Sequence, residues 1–217
     1  MSPHHLQIRI FLASQSPRRK SLLESVGITP VVIPADPTID AEAIETPQPN
    51  EDPIAYVRRV ANLKRDMAQQ RLQESPPLQI GTSRDQDLVL AADTTVALDQ
   101  QILGKPESKQ QAYEMLQALS GKTHQVHTAV SIASINGKTK ECVVVSSDVT
   151  FAQLTDEWIA NYIATGEPMD KAGSYGIQGL AGSMIPKISG SYTGIMGLPL
   201  YETLTLIRRV SVDRYQA

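Results

Sequence analysis

A single cysteine, Cys142, stands among 217 residues. That excludes an internal disulfide framework and a cysteine-rich zinc site, and it fits a reducing compartment. Basic residues are not in excess: 20 lysines and arginines face 23 acids, for a net charge of −3 and an isoelectric point near 5.8. A chain that lives on DNA or RNA normally carries a surplus of cations, so general nucleic-acid binding is disfavoured. A small anionic ligand remains open, because one local cluster of cations is enough for it. No apolar run approaches the roughly 20 residues needed to cross a bilayer. The apolar stretch 8–13 is interrupted by Arg9, and no small-residue cleavage site follows, so it reads as a strand rather than a leader. Internal repeats, long low-complexity segments and the HExxH, Walker and GxGxxG patterns are also missing. Together these absences lead us to expect a cytoplasmic protein with neither membrane nor nucleic acid as partner.

Apolar residues make up 41% of the chain and charged residues 20%, which excludes global disorder. The length suits one large domain or two small lobes. Ile8, Ile10 and Leu12 alternate as in a strand. Ser16 and Pro17 then open a helix that buries Leu22, Leu23 and Val26 and stops at Gly27. Residues 29–52 are rich in proline and acids and read as extended segment and loop. Asp52 caps a helix begun by Pro53 and reaching about Leu72; residues 75–87 form a polar loop. Residues 88–92 and 94–98 read as strand, with a turn at Asp99-Gln100. Ser108 and Gln111 make a capping-box pattern for a helix to Leu119. Two strands pair around Asn136-Gly137, a helix covers about 156–165, and Pro199 opens a last helix to about Val210. Strands and helices mix with a central hairpin, so the fold class is α/β with a mixed sheet flanked by helices. A single domain over 1–217, made of two unequal lobes, fits this spacing.

Four constellations carry chemistry. Ser14-Gln15-Ser16-Pro17-Arg18-Arg19-Lys20 puts three cations in the first turn of a helix, where the macrodipole disfavours them. A bound anion at the free N–H groups would reverse that sign, and the strand–turn–helix setting is where α/β sheets hold ligands. The bland alternative is a solvated basic turn. Lys64 lies +7, +4, +3 and −4 from Val57, Val60, Ala61 and Ala68, inside the apolar stripe of its helix. It either snorkels to the rim or points into a site. Asp93 sits in the middle of an apolar strand-like run, where an unpaired carboxylate costs several kcal/mol. It needs a cation, a metal or strong donors, and Lys105 one hairpin later offers a cation; a strand-end aspartate in a turn is the alternative. Eight of the 13 glycines fall between Gly166 and Gly197, around Asp170, Lys171, Tyr175 and Gln178. This run is either a binding loop or a mobile surface loop. His124 and His127 are three apart in a strand, face opposite sides and make a poor metal pair.

Taken in order, the segments Leu12-Ala13-Ser14-Gln15-Ser16-Pro17-Arg18-Arg19, Glu45-Thr46-Pro47, Lys64, Ala92-Asp93-Thr94, Leu103-Gly104-Lys105-Pro106 and Leu119-Ser120-Gly121 resemble the Maf family of nucleoside triphosphate pyrophosphatases. So do Gly166-Glu167-Pro168, Asp170-Lys171-Ala172-Gly173, Tyr175-Gly176-Ile177-Gln178-Gly179 and Gly197-Leu198-Pro199-Leu200. The family's usual Gly-Asp-Tyr-x-Asn run reads Gly190-Ser191-Tyr192-Thr193-Gly194 here.

The resemblance implies an elongated mixed sheet with two lobes about a deep cleft, akin to inosine triphosphate pyrophosphatases. It implies hydrolysis of a nucleoside triphosphate to the monophosphate and pyrophosphate with Mg²⁺ or Mn²⁺, and a possible homodimer. Arg18, Thr94 and Gln178 match the base-reading positions of the type that takes dTTP and UTP. On this reading Ser14 and Arg18 hold phosphate oxygens, Lys64 and Lys105 reach the triphosphate, and Glu45 and Asp93 hold the divalent ion. Asp93 also orients or deprotonates the attacking water. The competing class is a non-catalytic nucleotide sensor acting in cell division and septum formation.

Overall fold

A computed structural model describes residues 8–34, 41–74 and 87–212. Most of the expected 75–87 loop lies outside the described residues. The strands are β1 (Ile10–Leu12), β2 (Val31–Val32), β3 (Leu88–Leu98), β4 (Gln101–Leu103), β5 (Thr123–Ser134), β6 (Lys140–Thr150) and β7 (Lys187–Ser189). They form one mixed sheet in the order β2-β1-β3-β5-β6-β7, with β4 also on β3. The helices are α1 (Pro17–Ser25), α2 (Ala41–Glu45), α3 (Pro53–Glu74), α4 (Lys109–Leu119), α5 (Asp156–Ala164), α6 (Tyr192–Ile195) and α7 (Leu200–Val212). The glycine-rich run contributes three short 3₁₀ turns, Glu167–Asp170, Ala172–Ser174 and Leu180–Met184, rather than an open loop.

The two-residue period of β3 explains how the faces divide. Leu88, Leu90 and Ala92 point to one side and pack with α1 and α7 through Leu22, Leu23, Leu206 and Val210. Further along the same face, Val96 joins Leu116, Leu119, Phe151, Ile159 and Tyr162 in a second cluster under α4 and α5. Thr94 falls between the two clusters on the same face. The opposite face lies beneath α3: Val89 packs with Ala68 and Leu72, and Ala129 with Val57, Val60 and Ala61.

Strand β3 changes neighbours along its length. Its first part pairs in parallel with β1 at Leu88, Val89 and Leu90; its last part pairs with β4 at Val96, Ala97 and Leu98. Between them, no strand among the described residues pairs with 91–95 on that edge, although β5 covers the other edge throughout. The break sits at the carboxyl end of β1, directly before α1. The interrupting Arg9 of the sequence has a partner: its guanidinium lies along the fully buried carboxylate of Asp87, with Nε 3.1 Å from Oδ2, and ties the start of β1 to the start of β3.

Helix starts follow the sequence. Asp52 Oδ1 accepts from the N–H groups of Ile54 and Ala55. Ser108 Oγ accepts from Gln111 N at 3.1 Å, while the Gln111 side chain accepts from Glu107 rather than closing the box on Ser108. Asp99 and Gln100 both adopt positive φ, and that turn joins β3 to β4 as one hairpin. Asp93 therefore interrupts no strand; β3 runs straight through it. Helix α2, strand β7 and helix α6 were not expected from the sequence.

Candidate active site

The unpaired edge of β3 is where the functional side chains converge. Asp93 alternates with Thr94, so the two leave opposite faces of the same strand. Asp93 turns toward α3 and Thr94 toward α1.

On the α3 side, Lys64 points into the site rather than snorkelling to the rim. Its Nζ donates to Glu45 Oε1 and to Asp93 Oδ1, each at 2.7 Å. Lys105, from the segment after β4, donates to the other Glu45 oxygen at 3.3 Å. Glu45 ends α2, and that short helix is fastened to α3: Tyr56 donates to the Glu45 carbonyl at 2.7 Å, and Arg59 donates to the carbonyls of Ile44 and Thr46. Arg59 is itself paired with Glu51 at 2.7 Å. Burial pushes the Asp93 carboxyl above the usual aspartate range, against the opposing pull of Lys64 and Arg19. Burial acts the same way on Glu45, but there Lys64 and Lys105 together outweigh it and hold the group below the usual glutamate range.

On the α1 side the central residue is Arg19. Its Nε donates to the Gly197 carbonyl at 2.8 Å, its Nη1 to Ser14 Oγ at 3.2 Å and its Nη2 to Thr94 Oγ1 at 3.2 Å. Gly197 has φ +113°, and a Cβ there would meet Arg19 Nε at 3.5 Å and Thr94 Oγ1 at 3.6 Å. Those distances would admit a Cβ, so it is the positive φ that favours glycine here. Burial lowers the Arg19 pKa, while the Asp93 charge opposes that shift. Thr94 Oγ1 also lies 3.0 Å from Thr128 Oγ1, and Thr128 donates to the Gly194 carbonyl. This chain of hydroxyls links β3 and β5 to α6.

Ser14 is oriented by Arg19 and by the N–H of Ser16. Ser16 stands at the N-cap of α1, but its side chain makes no capping bond and the first turn holds no acid. Its own first turn thus offers those N–H groups no side-chain anion. Arg18 is exposed, and so is Gln178 in the turn between Gly176 and Gly179. Lys171, and more weakly the charge of Arg18, hold Asp170 below the usual aspartate range.

The sequence-selected residues Glu45, Lys64, Asp93 and Lys105 thus form one bonded cluster. Ser14 and Thr94 meet through Arg19, while Arg18 and Gln178 stand exposed and outside both sets of bonds. Sequence reasoning missed Arg19, Tyr56 and Arg59 as organisers. Arg19 was visible only as one of three adjacent cations. Among the described residues, no three histidine, cysteine or acidic side chains converge as a metal site. No helix among them is long and apolar enough to cross a membrane.

The chain is similar to several known proteins. A dTTP/UTP pyrophosphatase of Methylobacillus flagellatus is 48% identical over 204 residues, spanning 94% of each chain. A nucleoside triphosphate pyrophosphatase of Haemophilus ducreyi is 45% identical over 210 residues, spanning 94% of this chain and 96% of its own. Among solved structures, a nucleoside-triphosphatase / dITP/XTP pyrophosphatase of Mycobacterium abscessus aligns with 13% identity and a TM-score of 0.41, over 68% of this chain and 76% of that one. The family model described as Maf-like protein matches residues 9–210, and the chain belongs to that family.

Proposed function

We propose that this protein hydrolyses dTTP and UTP to the nucleoside monophosphate and pyrophosphate. The observation that carries the reading is the cluster at the open edge of β3, where Lys64 bridges Glu45 and Asp93 and Lys105 closes on Glu45. The names of the similar proteins supply the substrate class.

Two carboxylates gathered around one ammonium are a suitable seat for Mg²⁺ or Mn²⁺. Both supply hard oxygen donors, and Lys64 already occupies the place of a shared cation between them. Such ions take one or two protein carboxylates and complete their shell with phosphate oxygens and water. Glu45 and Asp93 would hold the ion, which when bound neutralises phosphate charge and makes bound water more acidic.

The chain's own groups do the remaining work. The exposed N–H groups of α1, with Ser14 and Arg18, receive phosphate oxygens. Arg19 fixes Ser14 and the Gly197 loop on either side of the cleft. Lys64 and Lys105 bring positive charge from two further elements, as phosphoryl substitution requires. Asp93 orients the attacking water and takes its proton. The new bond forms between water oxygen and the α-phosphorus. The bond from that phosphorus to the α,β-bridging oxygen breaks, and pyrophosphate leaves with the electron pair. Thr94 and Gln178 face the base, and an amide offers a pyrimidine edge both a donor and an acceptor. The single cysteine and the absence of a cationic surplus suit a cytoplasmic enzyme acting on free nucleotides.

The test is pyrophosphate release from dTTP, UTP, CTP, 7-methyl-GTP, ATP and ITP with Mg²⁺ or Mn²⁺, beside Asp93→Asn. Fast release from dTTP and UTP is expected. Loss of the aspartate should lower turnover by roughly 10²–10⁴-fold, the range of a positioned general base, with an unchanged melting temperature. Tight nucleotide binding without any release would overturn the reading in favour of a nucleotide sensor.

A further inference from the structure

We infer that Glu167 and Tyr162 are positioning residues for base selection, because together they clamp both ends of the turn that carries Gln178. The inference rests on Gln178 reading the base. Residues 176–179 form a tight turn in which Gly179 N donates to the Gly176 carbonyl at 3.0 Å. Gln178 is one of its two central residues and is exposed, so its own burial does not hold it in place.

The restraint comes from below. Tyr162 on α5 is buried and stacks on Trp158 at 5.0 Å between ring centroids. Its Oη donates to Glu167 Oε1 at 2.9 Å and accepts from Gly176 N at 3.3 Å. The second Glu167 oxygen accepts from Leu180 N at 3.2 Å. One carboxylate and one phenol therefore grip the backbone on both sides of Gln178. Lys171 fixes the base of the clamp by donating to the Glu167 carbonyl at 2.6 Å.

The fit leaves no slack. A Cβ on Gly179 would stand 1.9 Å from Glu167 Oε1, so the carboxylate lies directly against the glycine. A Cβ on Gly176 would meet Lys171 Cε at 2.9 Å. The glycine spacing of this run is what lets a charged side chain lie under the turn. A side chain that reads a base gains selectivity only if its backbone is held to a fraction of an ångström. Nothing in the clamp touches the Lys64–Glu45–Asp93 cluster, so its effect should fall on recognition rather than on chemistry.

The experiment compares wild type, Glu167→Ala, Glu167→Gln, Tyr162→Phe and Gln178→Ala. Measured quantities are kcat and KM for UTP and CTP, the inhibition constant of inorganic tripolyphosphate, and the melting temperature. Glu167→Ala and Tyr162→Phe should raise KM for UTP and reduce the UTP over CTP preference, each by about tenfold, the worth of one or two net hydrogen bonds, with kcat within about threefold. Tripolyphosphate has no base, so its inhibition constant should not move. Glu167→Gln should recover most of the preference, since its amide can accept from Leu180 N and donate to Tyr162 Oη. Unchanged preference in Glu167→Ala alongside lost preference in Gln178→Ala would overturn the clamp alone. Unchanged preference in Gln178→Ala would overturn the base-reading role and the clamp with it. A rise in the tripolyphosphate constant as large as that in KM would mean that the clamp merely holds up the whole cleft, and would also overturn it.

Discussion

Three protein acceptors occupy Arg19 at once: the Gly197 carbonyl, Ser14 Oγ and Thr94 Oγ1. Its planar fork suits that task, whereas a lysine presents one compact charge. Arg19→Lys should therefore keep the charge and lose the geometry, lowering kcat/KM for dTTP by roughly 10–100-fold, the cost of one to two lost charged hydrogen bonds. Steady-state pyrophosphate release checks this, and a variant within twofold of wild type would remove Arg19 from the positioning of the cleft. The sequence could not separate Arg18 from Arg19, since both follow Pro17 in one basic run. Successive helix residues point about 100° apart, and so one is exposed while the other turns toward Thr94 and Gly197. Lys64, by contrast, was legible, because a lysine within an apolar stripe has few options. Asp93 was legible for the same reason, as a carboxylate in an apolar run that had to find a cation.

At the scale of elements, α1 and α4 differ in their caps. Helix α1 begins without a side-chain cap and with an open first turn. Helix α4 begins with Ser108 Oγ accepting from Gln111 N, and none of its side chains belongs to the bonded cluster. Ser108→Ala should cost about 1 kcal/mol of stability and leave pyrophosphate release unchanged. Chemical denaturation measures the first quantity, and an equal loss of activity would tie α4 to the site after all. Ser191 is a third example: its Oγ accepts from Gly194 N at the start of α6. The glycine-rich run was legible as unusual but not as a set of 3₁₀ turns. Its order comes from Tyr162, Glu167 and Lys171, whose bonds to the turn do not show in the local pattern.

For the molecule as a whole, the sheet joins two apolar clusters on one face of long strands, and the polar pair Thr94 and Thr128 lies between them. His124 sits in the cluster under α4 and α5, stacked on Phe151 and bonded through Nε2 to Tyr175 Oη at 2.7 Å. Burial lowers its pKa to about 4, with Asp148 opposing weakly. Burial also lowers the His127 pKa. In the unfolded chain a histidine titrates near its ordinary value of about 6.5. Between that pH and about 4 only the unfolded chain takes up the His124 proton. Stability is therefore whole above pH 6.5 and falls as pH drops toward 4, by roughly 3 kcal/mol from this residue. His124→Gln should start less stable at pH 7.5 and lose less on acidification to pH 4.5. Thermal unfolding at both values checks this, and equal losses in the two proteins would refute it.

The sequence by itself determined the α/β class, most element boundaries and the need of Asp93 for a cation, while the resemblance to a family added Glu45 and the site roles of Lys64 and Lys105. Those features are local or chemical: apolar periodicity, caps, turn residues and charges in apolar settings act within a few residues of themselves. Only the tertiary structure decided that Arg19 rather than Arg18 is bonded to Ser14, Thr94 and Gly197, and that the glycine-rich run is clamped. It also showed that the site occupies the stretch of β3 where β1 has ended and β4 has not begun. Each of these depends on which distant segments meet. Pairing across the sheet sets that, and the pattern of any one segment does not record it.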